Sequence, residues 1–215
     1  MKTAIFDLDG TIADTLADLA DAVNYALDKL GYPVHPYESF NQFVGNGVQK
    51  LCYRALPDDK KDETENLVGL FSEYYNEHFL DKTVLYKGMS ETIHKLGSFG
   101  IRLAVATNKP QDFARKIVDA LLPDVEFISV LGGCSERPKK PDTAIIREIL
   151  ERLPIEDNQV FMIGDSNVDI QTAKNSGIIS IGCIWGFRGR EELESEGADY
   201  IAETPGDIAK IILEC

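Results

Sequence analysis

Three short apolar runs stand out along the chain: TAIF from Thr3 to Phe6, RLAVAT from Arg102 to Thr107, and QVFMIGD from Gln159 to Asp165. Each is rich in Val, Ile, Ala or Phe and ends in polar residues, the pattern of a strand buried in a parallel sheet. EFISVLGG (Glu126 to Gly133) and IISIGCIW (Ile178 to Trp185) are weaker candidates, and ADYIAE (Ala198 to Glu203) predicts a last edge strand. Helix-length patterns lie between them. SETIHKLGSFG precedes the second run, DFARKIVDALL follows it, DTAIIREILERL follows Pro141, and NVDIQTAKNSG follows Asp165, with Gly177 as its stop. Strands alternating with helices from Lys82 onward predict an α/β fold, a doubly wound parallel sheet of the Rossmann-like kind.

The stretch from Leu16 to Asp81 breaks this rhythm. Its patterns are helical: LADLADAVNYALDKLG, VQKLCYRAL and DETENLVGLFSEYYNEHFL. Leu16, Leu19, Ala20, Val23, Ala26, Leu27 and Leu30 form one apolar stripe. A lone strand at Thr3 to Phe6 cannot stand without a sheet. The expected organisation is therefore an α/β core of residues 1–15 and 82–215, interrupted by a helical domain of residues 16–81.

Composition narrows the partners. With 215 residues, 44% apolar and 27% charged, the chain fits one core domain with a smaller insert. A net charge of −14 repels nucleic acid and anionic membrane, so neither is an expected partner. Cys52, Cys134, Cys183 and Cys215 form no CxxC pair and have no histidine at ligand spacing, which argues against a zinc site. Scattered cysteines, no apolar leader at the first residues and no run of ~20 apolar residues lead to an expected cytoplasmic location.

Ligands of an open parallel sheet bind beyond the carboxyl ends of the strands. The first run delivers Asp7 and Asp9 there, the second Thr107 and Asn108, and the fourth Asp165 and Asp169; Lys139 and Lys140 follow the weak third. Carboxylates that would repel one another need a cation, and a lysine can meet an anion. Mg²⁺ suits such oxygen ligands together with a phosphate, with Asp7 and Asp165 as candidate carboxylates. Such a site can polarise a phosphoryl group, with one carboxylate as nucleophile and a second as acid and base. Asp7 and Asp9 could divide those two roles. Each motif alone has a plainer reading as a turn, an N-cap or a solvated loop. Their convergence on one sheet edge outweighs it.

DLDGT at Asp7 to Thr11, ATN at Ala106 to Asn108, KKP at Lys139 to Pro141 and GDSNVD at Gly164 to Asp169 resemble, in order, the four motifs of the haloacid dehalogenase-like hydrolases. The resemblance covers the whole chain and implies that residues 16–81 are an α-helical cap inserted after the first motif. It implies Asp7 as nucleophile and Asp9 as general acid/base, with the Asp9 carbonyl on Mg²⁺. Thr107 and the amide of Asn108 would hold phosphoryl oxygens. Lys140 would pair with Asp7 and the phosphate, Asp165 would bind the metal, and Asp169 would orient its waters. Asp9 favours phosphotransfer over dehalogenation, because the family's dehalogenases lack that acid.

Within the family, FVGNGVQKL (Phe43 to Leu51), GGCSERPKKPDTA and GADYIAETPGDI resemble segments of the phosphoglycolate phosphatase type, with Thr143 in place of that group's usual second proline. The first segment makes Asn46 and Gly47 candidate substrate-binding residues, although GNG also reads as a plain turn. The expected activity is Mg²⁺-dependent hydrolysis of a small phosphomonoester, with 2-phosphoglycolate favoured, by a monomer or homodimer. A phosphosugar mutase, an inorganic pyrophosphatase and a non-catalytic phospho-acceptor module are the alternatives. Lys50 and Arg54 read as a solvated helix face, Arg188 as structural, and the aromatic cluster Phe71 to Phe79 as core packing. Hinges are expected near Leu16 and over Lys82 to Tyr86.

Overall fold

The structure is a computed structural model that describes residues 2–153 and 159–215. Strand β1 (Lys2–Phe6) leads through a two-residue strand β2 (Ala13–Asp14) into helices α1 (Leu16–Lys29), α2 (Phe40–Phe43), α3 (Val48–Ala55) and α4 (Thr64–His78). A second two-residue strand, β3 (Val84–Leu85), is followed by α5 (Met89–Ser98), β4 (Arg102–Pro110), α6 (Gln111–Leu121), β5 (Ser129–Gly133) and α7 (Ala144–Leu150). The remainder is β6 (Gln159–Gly164), α8 (Asn167–Ser176), β7 (Ile179–Cys183), α9 (Gly189–Ser195), β8 (Tyr200–Ala202) and α10 (Pro205–Glu214).

Six strands form one parallel sheet in the order β5-β4-β1-β6-β7-β8. β1 lies inside it, with Ile5 opposite Ala104 of β4 and Met162 of β6. Alternation along each strand splits the core in two. Ala4, Phe6, Leu103, Val105, Phe161 and Ile163 pack with α5, α6 and α10; Ile5, Ala104, Ala106, Val160 and Met162 pack with α7 and α8. Both faces are covered, which is why consecutive positions in the middle of these strands are apolar, as in Ala4 to Phe6, Leu103 to Ala106 and Val160 to Ile163. The doubly wound α/β architecture expected from the sequence is the one observed.

The differences lie at element ends. β4 runs through Lys109 to Pro110 rather than stopping at Thr107, because the residue before a proline is held extended. β5 starts at Ser129, later than the run from Glu126 suggested. Helices α9 and α10 went unread, although α10 begins on a Thr204–Asp207 capping box with Pro205 in its first turn.

In the helical segment, Leu19, Ala20, Val23, Ala26 and Leu27 of the α1 stripe are buried with Phe40, Leu51, Leu67, Phe71 and Tyr75 in a cluster of their own. At ~1.5–3 kcal/mol for each large apolar side chain, this cluster supplies most of what holds α1 to α4. Phe113 and Phe187, from beyond the segment, pack against its edge. The chain enters and leaves through β2 and β3, which pair antiparallel, Ala13 opposite Leu85 and Asp14 opposite Val84. Buried Asp18 accepts hydrogen bonds from the Lys82 amide at 3.0 Å, the Thr83 amide at 2.9 Å and the Thr83 hydroxyl at 2.7 Å. Start and end of the segment are thus tied to each other.

Candidate active site

The carboxyl ends of β1, β4 and β6 converge on one edge of the sheet, and the loop after β5 reaches it. Asp7, Asp165 and Asp169 each present a carboxylate oxygen there, all within 4.8 Å of one another, and all three residues are buried. Their fit is tight. A methyl group on Gly10 would lie 2.3 Å from Asp165 Oδ2, and Gly10 has φ +82°, so only glycine lets the chain leave β1 here.

Lys140 is the buried cation of this group. Its Nζ lies 2.6 Å from Asp169 Oδ1 and 3.0 Å from Asp7 Oδ1. The second oxygen of Asp169 accepts from the Ser166 hydroxyl and amide, closing the capping box of α8. Asp169 is therefore saturated. Asp165 Oδ2 accepts from the Phe187 amide at 2.7 Å. Asp7 Oδ1 is buried and, despite its ion pair with Lys140, receives no hydrogen bond.

Three carboxylates face one ammonium, an excess of two negative charges. Two such charges 4.8 Å apart repel by ~3.5 kcal/mol at an effective dielectric of ~20. Burial pushes the Asp7 carboxyl up to about 7, with Asp169 and Asp9 adding to the rise and Lys140 and the Leu8 amide opposing it. Burial first, then Asp169 and Asp7, also raises Asp165. Lys140 is held protonated: Asp169 and Asp7 outweigh the cost of burying it. Asp165 Oδ1 accepts only a long bond, 3.4 Å, from the Thr11 hydroxyl, so Asp7 and Asp165 retain oxygen lone pairs, and the donor set fits a divalent oxygen-seeking cation.

Asp9 lies to one side, with its side chain 13% exposed. Its Oδ1 accepts from the Thr15 hydroxyl at 2.7 Å and from Lys109 Nζ at 2.9 Å. Thr107 Oγ1 accepts from the Lys109 amide, leaving its own proton for a ligand oxygen. The Asn108 side chain is a brace. It donates to the carbonyls of Gly45 and Lys140, both at 3.1 Å, and accepts from the Lys140 amide at 2.8 Å. It fixes the loop that carries Lys140, so any direct contact to a phosphoryl group falls to its backbone.

Asp7, Asp9, Thr107, Asn108 and Lys109 share a narrow cavity of about 30 Å³ whose other wall is Leu19, Val44, Gly45, Gly47, Val48, Leu51 and Tyr75. Gly47 is thus brought to the acids. Asn46 is not: its Oδ1 accepts from Arg54 Nη2 at 2.7 Å, and it faces an adjacent hollow with Lys50 and Lys139. Arg54 also donates to the Phe43 carbonyl, so it holds the loop rather than lying on a solvated face. Arg188 donates to Gln42 and to the Val44 carbonyl, a structural clasp between the α/β part and the same loop.

Two residues of the site were missed from sequence. Lys109 is buried, and its Nζ bridges Asp9 and the Tyr75 hydroxyl, the latter at 2.8 Å. Asp9 and Tyr75 hold it protonated against the cost of burial. Tyr75, taken as core packing, does pack on Phe71 and Phe113, but its hydroxyl points into the site. The signal was available: Lys109 before Pro110 continues the strand, and two-residue periodicity then puts it on the face of Thr107.

Residues 4–183 match the family model described as haloacid dehalogenase-like hydrolase. A phosphoglycolate phosphatase of Vibrio parahaemolyticus is 32% identical over 219 residues, spanning 99% of this chain and 96% of that protein. The phosphoglycolate phosphatase of Colwellia psychrerythraea is 34% identical, spanning 94% and 93%. Among solved structures, a candidate phosphoglycolate phosphatase from Lactobacillus delbrueckii subsp. bulgaricus superposes with a TM-score of 0.91 at 32% identity, covering 98% of this chain and 97% of that one. A haloacid dehalogenase-like family protein from Streptococcus pneumoniae gives a TM-score of 0.85 at 26% identity, covering 97% of each.

Proposed function

The chain belongs to the haloacid dehalogenase-like hydrolase family and is a phosphoric monoester hydrolase, and we propose that it is Mg²⁺-dependent, acts through an aspartyl-phosphate on Asp7, and has 2-phosphoglycolate as its favoured substrate. The observation that carries the reading is the cluster of three buried carboxyl groups, Asp7, Asp165 and Asp169, around the single ammonium of Lys140, with Asp7 Oδ1 lacking a hydrogen bond. Asp7 and Asp165 would hold Mg²⁺, joined by the Asp9 carbonyl, while Asp169 is occupied by Lys140 and Ser166 and keeps those groups in place. When bound, Mg²⁺ offsets the carboxylate charge and polarises the phosphoryl group.

The chain's own residues then divide the work. The phosphoryl oxygens are met by Lys140, by the Thr107 hydroxyl and by the Asn108 backbone amide. An Asp7 carboxylate oxygen bonds to phosphorus as the ester P–O bond breaks. That bond's electron pair stays on the leaving oxygen, which takes a proton from Asp9. Asp9, now a carboxylate, accepts a proton from water as the water oxygen bonds to phosphorus. The bond from phosphorus to Asp7 breaks, and its electrons return to the carboxylate.

Residues 16–81 serve as a cap over a core of residues 1–15 and 82–215, moving about the paired β2 and β3 connections to admit substrate and exclude water. The substrate is a small phosphorylated metabolite. Among the described residues no helix is long and apolar enough to cross a membrane. The names of full-length relatives at 32% and 34% identity support 2-phosphoglycolate.

Phosphate release from a panel of phosphomonoesters, with Mg²⁺ and with chelator, tests the reading. Release that needs Mg²⁺ and is fastest for 2-phosphoglycolate is expected. Metal-independent release contradicts the Mg²⁺ assignment, and conversion of a hexose 1-phosphate to its isomer without free phosphate would establish a mutase.

A further inference from the structure

We propose that Lys109, braced by the Tyr75 hydroxyl, is the positioning residue that commits one oxygen of Asp9 to the leaving group. The proposal rests on the reading of Asp9 as the leaving-group acid. Two donors, the Thr15 hydroxyl and the Lys109 ammonium, converge on Asp9 Oδ1 at 2.7 and 2.9 Å. An oxygen that accepts from both is a poor site for a proton, so a neutral Asp9 carries its proton on Oδ2. The same two bonds fix the plane of the carboxyl group. A general acid works only when its proton is aimed at the departing oxygen, and misdirection of this kind costs orders of magnitude in rate.

Stability does not account for an ammonium at this position. Lys109 is 4% exposed in a wall that also contains Leu19, Val48 and Leu51. Taking an ion pair out of water generally gains little or nothing over an apolar side chain of the same length. The second anchor, Tyr75 at 2.8 Å, comes from α4 in the helical segment, so that segment contributes to the setting of the acid as well as to the cavity wall.

Leaving-group dependence is the test. An alkyl phosphate expels an alkoxide and needs the proton; p-nitrophenyl phosphate expels a stable phenolate and does not. For Lys109→Met in the full-length protein, kcat/KM on 2-phosphoglycolate, which reports the step that expels the leaving group and not the later attack of water, is expected to fall roughly hundredfold, with at least about tenfold less loss in kcat/KM on p-nitrophenyl phosphate. Tyr75→Phe, which removes only a hydroxyl, should show the same asymmetry at about a tenth of the size, and it decides the matter if Lys109→Met does not fold. Equal losses on both esters, or none, overturn the proposal. Asp9→Asn is the control: if it shows no such asymmetry, the reading of Asp9 as the acid has failed, independently of Lys109.

Discussion

Replacing Asp7 by Asn should stabilise the metal-free protein while abolishing turnover, and the size of the effect follows from the site. Burial and neighbouring carboxylates raise the Asp7 carboxyl from 3.8 to about 7. A carboxyl whose folded value is raised binds its proton more tightly in the native state than in the unfolded one. Its contribution is fully present below 3.8 and is lost as pH rises toward 7. Asn has the shape and charge of the protonated acid and escapes that loss. At ~1.4 kcal/mol per unit, Asp7 costs up to about 4 kcal/mol at pH 8, where it is buried charged, and about 2 kcal/mol at pH 5, where it must take up a proton on folding. For a chain of this length, 4 kcal/mol corresponds to a rise in Tm of roughly 10 °C. Thermal unfolding with chelator, followed by circular dichroism at pH 5 and pH 8, measures it. The variant should melt higher than wild type at both values, with the larger gap at pH 8. A variant that melts at or below wild type at pH 8, or a gap that does not grow with pH, would refute the electrostatic account.

Three further outcomes follow from the same structure. Mg²⁺ should raise the wild-type Tm more at pH 8 than at pH 5, because protonated Asp7 and Asp165 must lose protons to bind it, and chelator should reverse the gain; equal shifts would contradict the shared site. Asp18→Ala strips acceptors from the Thr83 amide and hydroxyl and from the Lys82 amide, and should cost about 2–4 kcal/mol in urea unfolding. Arg188→Ala releases Gln42 and Val44, next to Gly45 and Gly47 of the cavity wall, and should raise KM about tenfold with kcat little changed in steady-state assays.

Much of this architecture is legible in the sequence because a parallel sheet buried on both faces writes itself as apolar runs, and because ligand-bearing residues follow the runs directly. That is how Asp7, Thr107 and Asp165 could be placed on one edge. What stayed hidden depends on distance in the fold. β2 and β3 have two residues each, too few for any period to show. Arg54 and Arg188 look like surface cations until their carbonyl partners, 11 and 144 residues away, are known. Lys109 stands just outside a motif, and Tyr75 is one ring among several in its helix. Their meeting links positions 34 apart, and local sequence has no record of it.

The central claim is a double displacement at phosphorus, first by Asp7 and then by water. The stereochemical course tests it most directly. A phosphorothioate analogue of the substrate, made chiral at phosphorus with two oxygen isotopes and hydrolysed in water enriched in the third, should release chiral thiophosphate with retention, since each in-line displacement inverts once. Net inversion would mean that water attacks the ester directly, and Asp7 would not be the nucleophile.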